Sequence, residues 1–368
     1  MLREVLAGVV LGTFTGLTPG IHVNTVGELG ISDPVVLFSM GLVHTFLDVI
    51  PSTFLGIPDE GTALSVLPAH RLALNGRAME VVRISLWASA LAVLLSILLA
   101  PLYLHLARLY TPGAGKVLVL LLLLFMVLTA GRKAPATLLV LALSGILGLV
   151  VFALPLTHPY YLLFTGLFGV PAVAVGLKGK PPEGEDASLQ MEHSSFLKFS
   201  FLGTLVGMLA SLVPAFTPSQ GAVLASLLSR DERAFLTAVF SINTANFTFS
   251  FMNYLATGRV RNGIVARMPP LSEKALPFYL LLSVSLSLLV LLYGEPLALL
   301  VLRAMRRLPY GHLNGGILIF LFILAWFFDG PLGVFVLASA SLLGLFTLSI
   351  NAPRRACMGV LMVPVLIG

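Results

Sequence analysis

The stretch GLTPGIHVNT, residues 16–25, interrupts an apolar N-terminus with residues that could bind an anion. Pro19 removes a backbone donor and Gly20 permits a sharp turn, so the first helix is predicted to break there. A second short helix can begin near residue 23 and direct its N–H groups at a bound anion. The alternative is a kinked helix whose polar groups satisfy its own backbone. The predicted substrate contacts from this break are Gly20, His22, Asn24 and Thr25.

A similar break is predicted in the second half of the chain, at PAFTPSQG, residues 214–221. Pro218 suits the first turn of a new helix, and the side chains that follow it can donate hydrogen bonds. Further along, FSINTANF (240–247) carries amides that can bind a carboxylate, or lend oxygens to a cation, without carrying charge. The predicted substrate contacts from this half are Thr217, Ser219, Asn243 and Asn246.

Ionisable residues cluster between residues 44 and 70, within a largely apolar run. His44 and Asp48 are four residues apart and therefore share one helix face. Ionisable groups inside a membrane are costly and mark ion or proton pathways, so we expect this pair to handle a coupling ion, Na⁺ or H⁺. Asp59 and Glu60 follow Pro58 and are assigned to the same role. Their alternative is an ordinary place in the first turn of a helix, where acids suit the helix dipole.

The elements that hold these residues are predicted to be membrane helices. The 368 residues are 58% hydrophobic and only 10% charged, whereas soluble domains carry about 25% charged residues. Apolar stretches near the length of a bilayer crossing recur along the whole chain. We predict an all-α polytopic membrane protein with about ten to twelve spanning or half-spanning helices. The lone Cys357 excludes a disulfide framework and a cysteine-based metal site.

The chain divides into two related halves, residues 1–177 and 196–368, joined by a polar linker, 178–195. The first half opens with small residues every fourth position up to Pro19, and the second half repeats this spacing up to Pro214, shifted by 195 residues. Coincidence of composition is the alternative, since small residues are common on packed membrane helices. Loop Lys and Arg residues of both halves can share one side if the repeat is inverted, which favours a cytoplasmic linker.

Several motifs resemble the large membrane subunit of the tripartite tricarboxylate transporters. They occur in both halves and read GTFTGLTPG, LGIPDEGTALSVLP, NGRA (75–78), GLFGVPAV (166–173), INTANF (242–247) and RRACMGVLMVPVLIG (354–368). The resemblance implies a transporter fold with proline-broken re-entrant helices. It also implies a tricarboxylate substrate, an extracytoplasmic solute-binding protein and a small membrane subunit.

The sequence favours a secondary active transporter of a small organic anion, coupled to Na⁺ or H⁺, rather than an enzyme. We expect the protein in the plasma membrane, in contact with lipids. Its small-residue helix faces also allow it to form a homodimer. The net charge of +6 fits membrane loops better than nucleic-acid binding. One alternative is a polyprenyl-phosphate flippase in which Arg71 or Arg77 clamps the phosphate. A second is an intramembrane metalloenzyme using His22, His44, Asp48 and His70. No cofactor is expected beyond the coupling ion.

Overall fold

The structure is a computed structural model that describes residues 1–27, 30–57, 63–109, 113–177, 181–213, 218–229, 231–260 and 262–367. These residues fold into helices, which confirms the predicted all-α membrane architecture. Six helical stretches in this part of the chain are long and apolar enough to cross a membrane. They are Pro34–Leu55, Pro68–Leu109, Gly131–Ala153, His193–Leu212, Glu273–Met305 and Tyr310–Ser349.

The first half of the chain folds into helices of uneven length. In chain order they are α1 (Leu2–Leu17), α2 (Val23–Gly27), α3 (Pro34–Leu47), α4 (Val49–Leu55), α5 (Val66–Leu72), α6 (Ala78–Leu109), α7 (Gly113–Leu128), α8 (Ala134–Ala153), α9 (Pro159–Phe164) and α10 (Val170–Gly176). The second half is also helical. Its helices are α11 (His193–Leu212), α12 (Pro218–Leu228), α13 (Glu232–Thr257), α14 (Leu276–Met305), α15 (Tyr310–Ser349) and α16 (Gly359–Ile367).

Helix α15 is two apolar arms joined by a sharp reversal. Asp329 and Gly330 leave helical geometry, with φ of +60° at Gly330, a conformation that glycine adopts readily. The chain then folds back so far that Gly333 lies against the carbonyl of Ala325. The apolar stretches 313–328 and 331–350 therefore form the two arms of a helical hairpin, as expected for separate crossings.

The centre of the molecule is formed by α3 and α13, which cross in opposite directions. The aromatic ring of Phe38, early in α3, packs against that of Phe251, late in α13, with centroids 4.6 Å apart. Asp48, just after α3, meets Asn243, in the first half of α13. The stretch that contains α3 and α4 is 94% buried, whereas the other candidate spans are 22–44% buried. Protein therefore surrounds α3 and α4, while the other spans keep large outer surfaces.

In the first half, α1 runs along α3 in the same direction. Gly8 lies against Ser39, and one turn later Gly12 lies against Val43. Any side chain at either glycine would collide with α3, so the small residues are needed for close approach of the two backbones. Because α1 and α3 are parallel, the chain between them, which contains α2, must return to the face where α1 begins.

The second half repeats this arrangement with α11 and α13. Gly203 lies against Ser241 and Gly207 against Ala245, so these two helices are also parallel and close. Helix α12 lies between them in the chain, in the place that α2 occupies in the first half. Because α3 and α13 are antiparallel, the two three-helix units run in opposite directions. This arrangement is compatible with the inverted repeat predicted from the sequence.

The linker is described from residue 181 onward, and its residues 181–190 form an extended strap across one face of the protein. The backbone N–H of Glu183 donates to the carbonyl of Ala73, and the N–H of Met79 donates to Gly184. These hydrogen bonds satisfy backbone donors and acceptors around a kink at Asn75 and Gly76, where the helical path between α5 and α6 is irregular. The strap therefore pairs backbone groups on both sides of this kink in the first half.

The strap also binds the second half through charge. Its Glu185 pairs with Arg303 of α14, at 2.7 Å, and with Arg306, directly after α14, at 3.1 Å. Arg303 lowers the pKa of the Glu185 carboxyl by hydrogen bonding to it. Beneath the strap, the fully buried carboxylate of Glu80 on α6 accepts two hydrogen bonds from the guanidinium of Arg233 on α13, at 2.7 and 3.0 Å. Strap and ion pairs thus join the two halves on this face.

We expect Arg233→Met to destabilise the protein strongly. The substitution removes the bidentate partner of the buried Glu80 carboxylate and leaves Arg77, whose Nε lies 3.9 Å away, to balance its charge. Loss of one partner from a buried ion pair costs roughly 3–5 kcal/mol, and Arg77 recovers part of that cost. Arg303→Met is the matched control, because it removes an arginine that is 56% exposed and whose pairing with Glu185 is screened by water. The measurement is denaturation of both variants in detergent. Equal losses of stability would contradict the distinction between the two ion pairs.

Candidate functional site

A hydrogen bond between the two halves lies in the middle of the molecule. The amide Nδ2 of Asn243 donates to Oδ2 of Asp48 over 2.7 Å, and both side chains are buried. At 1.5 Å per residue, Asn243 lies about 16 Å from the start of α13 and about 21 Å from its end. This bond therefore lies near the middle of α13, between the two ends of the helix.

Two further polar contacts surround the Asp48–Asn243 bond. One turn before Asp48, the buried His44 places Nδ1 3.1 Å from the hydroxyl of Thr15 on α1. Beside it, the hydroxyl of Thr244 donates to that of Thr45 over 3.1 Å, again from one half to the other. The centre of the molecule therefore holds a carboxylate, an imidazole, an amide and several hydroxyls within two turns of helix.

The break after α1, which the sequence predicted, lies beside this polar cluster. Helix α1 ends at Leu17, and Gly20 has a φ of +79°, the left-handed conformation. His22 follows, and its ring meets that of His44 edge to face, with centroids 4.9 Å apart. Nδ1 of His22 accepts a hydrogen bond from the backbone N–H of Asn24 over 3.2 Å.

A small cavity opens at the break, with room for about one water molecule. Asp48 and the last turn of α1 face each other across it. Its lining consists of Thr15, Gly16, Thr18, Pro19, Gly20, Asp48, Pro51 and Ile57. The cavity joins the two motifs that the sequence singled out separately, the Pro-Gly break and the acidic helix end.

Residues predicted from the second half are described in part. Thr217 lies outside the described residues, as do residues 214–216 of the predicted break. Ser219 is buried at the start of α12. Asn246 lies buried on α13, one turn after Asn243. Ser211, near the end of α11, accepts a hydrogen bond from Asn253, about 15 Å further along α13 than Asn243. The juxtaposition of the two breaks stays a prediction.

Other predicted residues are only partly placed. Asp59 and Glu60 lie outside the described residues, and so does the side chain of Thr25. His70 turns its Nδ1 to the carbonyl of Thr53, 2.8 Å away. In the described ranges, no three His, Cys, Asp or Glu side chains come together as a metal site. The His22, His44, Asp48 and His70 set is therefore not assembled as one ligand group.

Sequence reasoning missed the threonines of this site. Thr15 contacts His44, Thr18 lines the cavity, and Thr45 contacts the second half. A signal existed, because Thr15 and Thr18 lie in the turn before Pro19, and Thr45 is adjacent to His44. Hydroxyls are common inside membrane helices, where they bond their own backbone, so their type alone did not distinguish them.

Comparison with known proteins gives two findings. The model of the tripartite tricarboxylate transporter TctA family matches residues 2–359. An uncharacterized protein of Methanocaldococcus jannaschii is 30% identical over 334 residues, which cover 82% of each chain. No solved structure matches the chain significantly.

We expect cysteines at positions 45 and 244 to form a cross-link between the two halves, because the threonine hydroxyls there are 3.1 Å apart. In a Cys357→Ser background, Thr45→Cys with Thr244→Cys should keep both halves in one band after proteolytic cleavage of the linker and mild oxidation. Thr45→Cys with Thr248→Cys, one turn away, is the control. Separation of the halves in the first variant would contradict the antiparallel crossing of α3 and α13.

Proposed function

The chain belongs to the tripartite tricarboxylate transporter TctA family, whose members are membrane components of transport systems, and from that premise we propose that it is a secondary active transporter of a small organic anion. The substrate is a dicarboxylate or tricarboxylate, and its movement is coupled to Na⁺ or H⁺. The anion binds between the two broken segments near the membrane midplane. Gly20, His22, Asn24 and Thr25 contact it from the first half, and Thr217, Ser219, Asn243 and Asn246 contact it from the second.

The observation that carries this proposal is the Asp48–Asn243 hydrogen bond beside the Pro19–Gly20 break. Irregular backbone at membrane depth is tolerated only where it is enclosed by protein or lines a watery cavity. Interrupted helices at matching places in two halves are the best pointer to a transporter's binding site. The carboxylate of Asp48 belongs to one half and is hydrogen-bonded to the other. A coupling ion that binds it therefore changes the contact between the two halves directly.

Alternating access follows from the antiparallel arrangement of the two units. If one three-helix unit rocks against the other, contacts across the α3–α13 crossing must change, and the Asp48–Asn243 and Thr45–Thr244 bonds are among them. His44 and Asp48, with Asp59 and Glu60, handle the coupling ion. Its binding stabilises one arrangement of the crossing over the other, and this difference in affinity drives the exchange of states.

Membrane orientation follows from charge. At the strap face, acidic side chains pair with four arginines: Arg71, Arg77, Arg303 and Arg306. The positive-inside rule supports a cytoplasmic assignment of this face. We propose the plasma membrane as the location of the protein. The second basic group, near Arg259, lies at the opposite face, where Arg259 donates to the carbonyl of Ala107 at the end of α6. The family relationship further supports a small membrane subunit and an external solute-binding protein as partners.

The flippase alternative receives less support from the arginines. Arg71 is paired with Glu232 at 2.7 Å and Arg77 with Asp186 at 3.2 Å, both at the strap face. Neither is among the residues that line the cavity at the Pro-Gly break. A lipid phosphate clamped by them would bind at the membrane surface, away from the polar cluster around Asp48.

Thermal shift of the purified protein distinguishes the two ligands. A ligand at about one hundred times its Kd stabilises the folded state by about 2.7 kcal/mol. We expect di- or tricarboxylates to raise the melting temperature in the presence of Na⁺ or at acidic pH. A short-chain polyprenyl phosphate should not raise it. Stabilisation by the prenyl phosphate without any effect of carboxylates would favour the flippase and overturn the proposal.

In proteoliposomes, Asp48→Asn is expected to abolish gradient-driven uptake of the carboxylate, because the charge that binds the coupling ion is gone. Exchange of carboxylate across the membrane without a gradient should persist. Asp33→Asn is the matched control, since Asp33 caps α3 at its exposed end and asparagine caps equally well. Accumulation in Asp48→Asn that still follows the Na⁺ or H⁺ gradient would contradict this role for Asp48.

A further inference from the structure

The cavity at the end of α1 has the size and chemistry of a site for one small monovalent cation. Its room for about one water molecule fits a dehydrated Na⁺. Its lining residues supply several oxygens: the hydroxyls of Thr15 and Thr18, the carboxylate of Asp48, and backbone carbonyls. Hard cations prefer such oxygen ligands. Both ring nitrogens of His44 stay outside this set, because His44 does not line the cavity.

The hydroxyls are oriented to accept rather than donate. Thr18 directs its hydroxyl proton at the carbonyl of Phe14, 2.7 Å away. Thr15 places its hydroxyl 3.2 Å from the carbonyl of Gly12, in position to donate to it. With its proton directed back along the helix, the Thr18 hydroxyl keeps its oxygen lone pairs for a cation. The Thr15 hydroxyl, which also lies 3.1 Å from Nδ1 of His44, keeps at least one lone pair.

The end of α1 adds a favourable field. Pro19 has no N–H, so the carbonyl of Thr15 lacks the donor that would follow it in a continuous helix. The last carbonyls of a helix also carry the negative end of its dipole, which attracts cations. In broken membrane helices, unwound carbonyls and half-helix C-termini coordinate Na⁺. Asp48 supplies the single negative charge that balances one monovalent ion.

We infer that this cavity binds Na⁺ through Thr15, Thr18, Asp48 and the carbonyls at the end of α1. The inference names the coupling ion of the proposed transporter and rests on that function for its purpose. Na⁺ here would fix the C-terminal end of α1 against Asp48, which is itself bonded to Asn243 of the other half. Ion binding would thereby link the break to the crossing of α3 and α13.

The test is Na⁺ binding to the purified protein without any organic anion. Radioactive ²²Na⁺ binding and the melting temperature are measured as NaCl replaces KCl or choline chloride at constant ionic strength. We expect saturable binding of one Na⁺ and a rise in melting temperature with NaCl alone. No Na⁺-specific binding or stabilisation in the unaltered protein would overturn the site.

Variants test the ligands one by one. Asp48→Asn, Thr15→Val and Thr18→Val should each weaken Na⁺ binding at least about tenfold, the smallest loss usual for partners around a metal. Thr15→Ser keeps the hydroxyl and should keep the affinity. Thr204→Val is the matched control, since it removes a buried hydroxyl that bonds its own helix in α11. Undiminished Na⁺ affinity in well-folded Thr15→Val and Thr18→Val would place the ion elsewhere.

These outcomes separate the site from the function. If Na⁺ binds as described but no carboxylate is transported, the cation site stands and the proposed substrate fails. If carboxylate uptake follows a Na⁺ gradient but the Thr15 and Thr18 variants bind and couple normally, the transport proposal stands and this site fails. If uptake follows only a proton gradient and Na⁺ does not bind, the inference fails and the transporter remains.

Discussion

The constraint on which this structure depends is the absence of water from the membrane interior. Every polar backbone group and every charge at that depth must find its partner within the protein. The chain meets this demand by surrounding α3 and α4 with other helices and by burying most of α13. Their polar side chains then bond across the crossing, as Asp48 does with Asn243. The outer helices, by contrast, carry large apolar side chains on their exposed surfaces.

The same constraint connects the strap to the interior. Glu80 is a charge with no exposed surface, and it is tolerated because Arg233 and the backbone N–H of Gln190 bond to it. Arg233 lies in the first turn of α13, while Asn243 lies three turns further along the same helix. The strap face and the central cluster are thus joined by one rigid element. A movement of α13 would therefore displace contacts at both the strap face and the central cluster.

Much of this fold was readable in the sequence because the signals were local. Pro19 and Gly20 fixed the position of the first break, and the apolar stretches fixed the helices. The hairpin at Asp329 was anticipated as a gap between two apolar runs. Contact between distant residues could not be predicted in this way. The pairing of Thr45 with Thr244, or of Glu80 with Arg233, depends on the antiparallel crossing, and the spacing of each residue type alone gives no hint of it. The turn at 214–217 and the acids at 59 and 60 stay predictions.

The central claim is that the break after α1 is a binding site reached by water, and thiol labelling at Ile57, which lines the cavity at that break but is not proposed as a ligand, tests it most directly. An Ile57→Cys variant in a Cys357→Ser background is treated in vesicles with a membrane-impermeant maleimide. We predict labelling from at least one side, and protection from labelling when carboxylate and coupling ion are both present. A cysteine that never reacts from either side, or reacts equally with and without ligands, would contradict the claim.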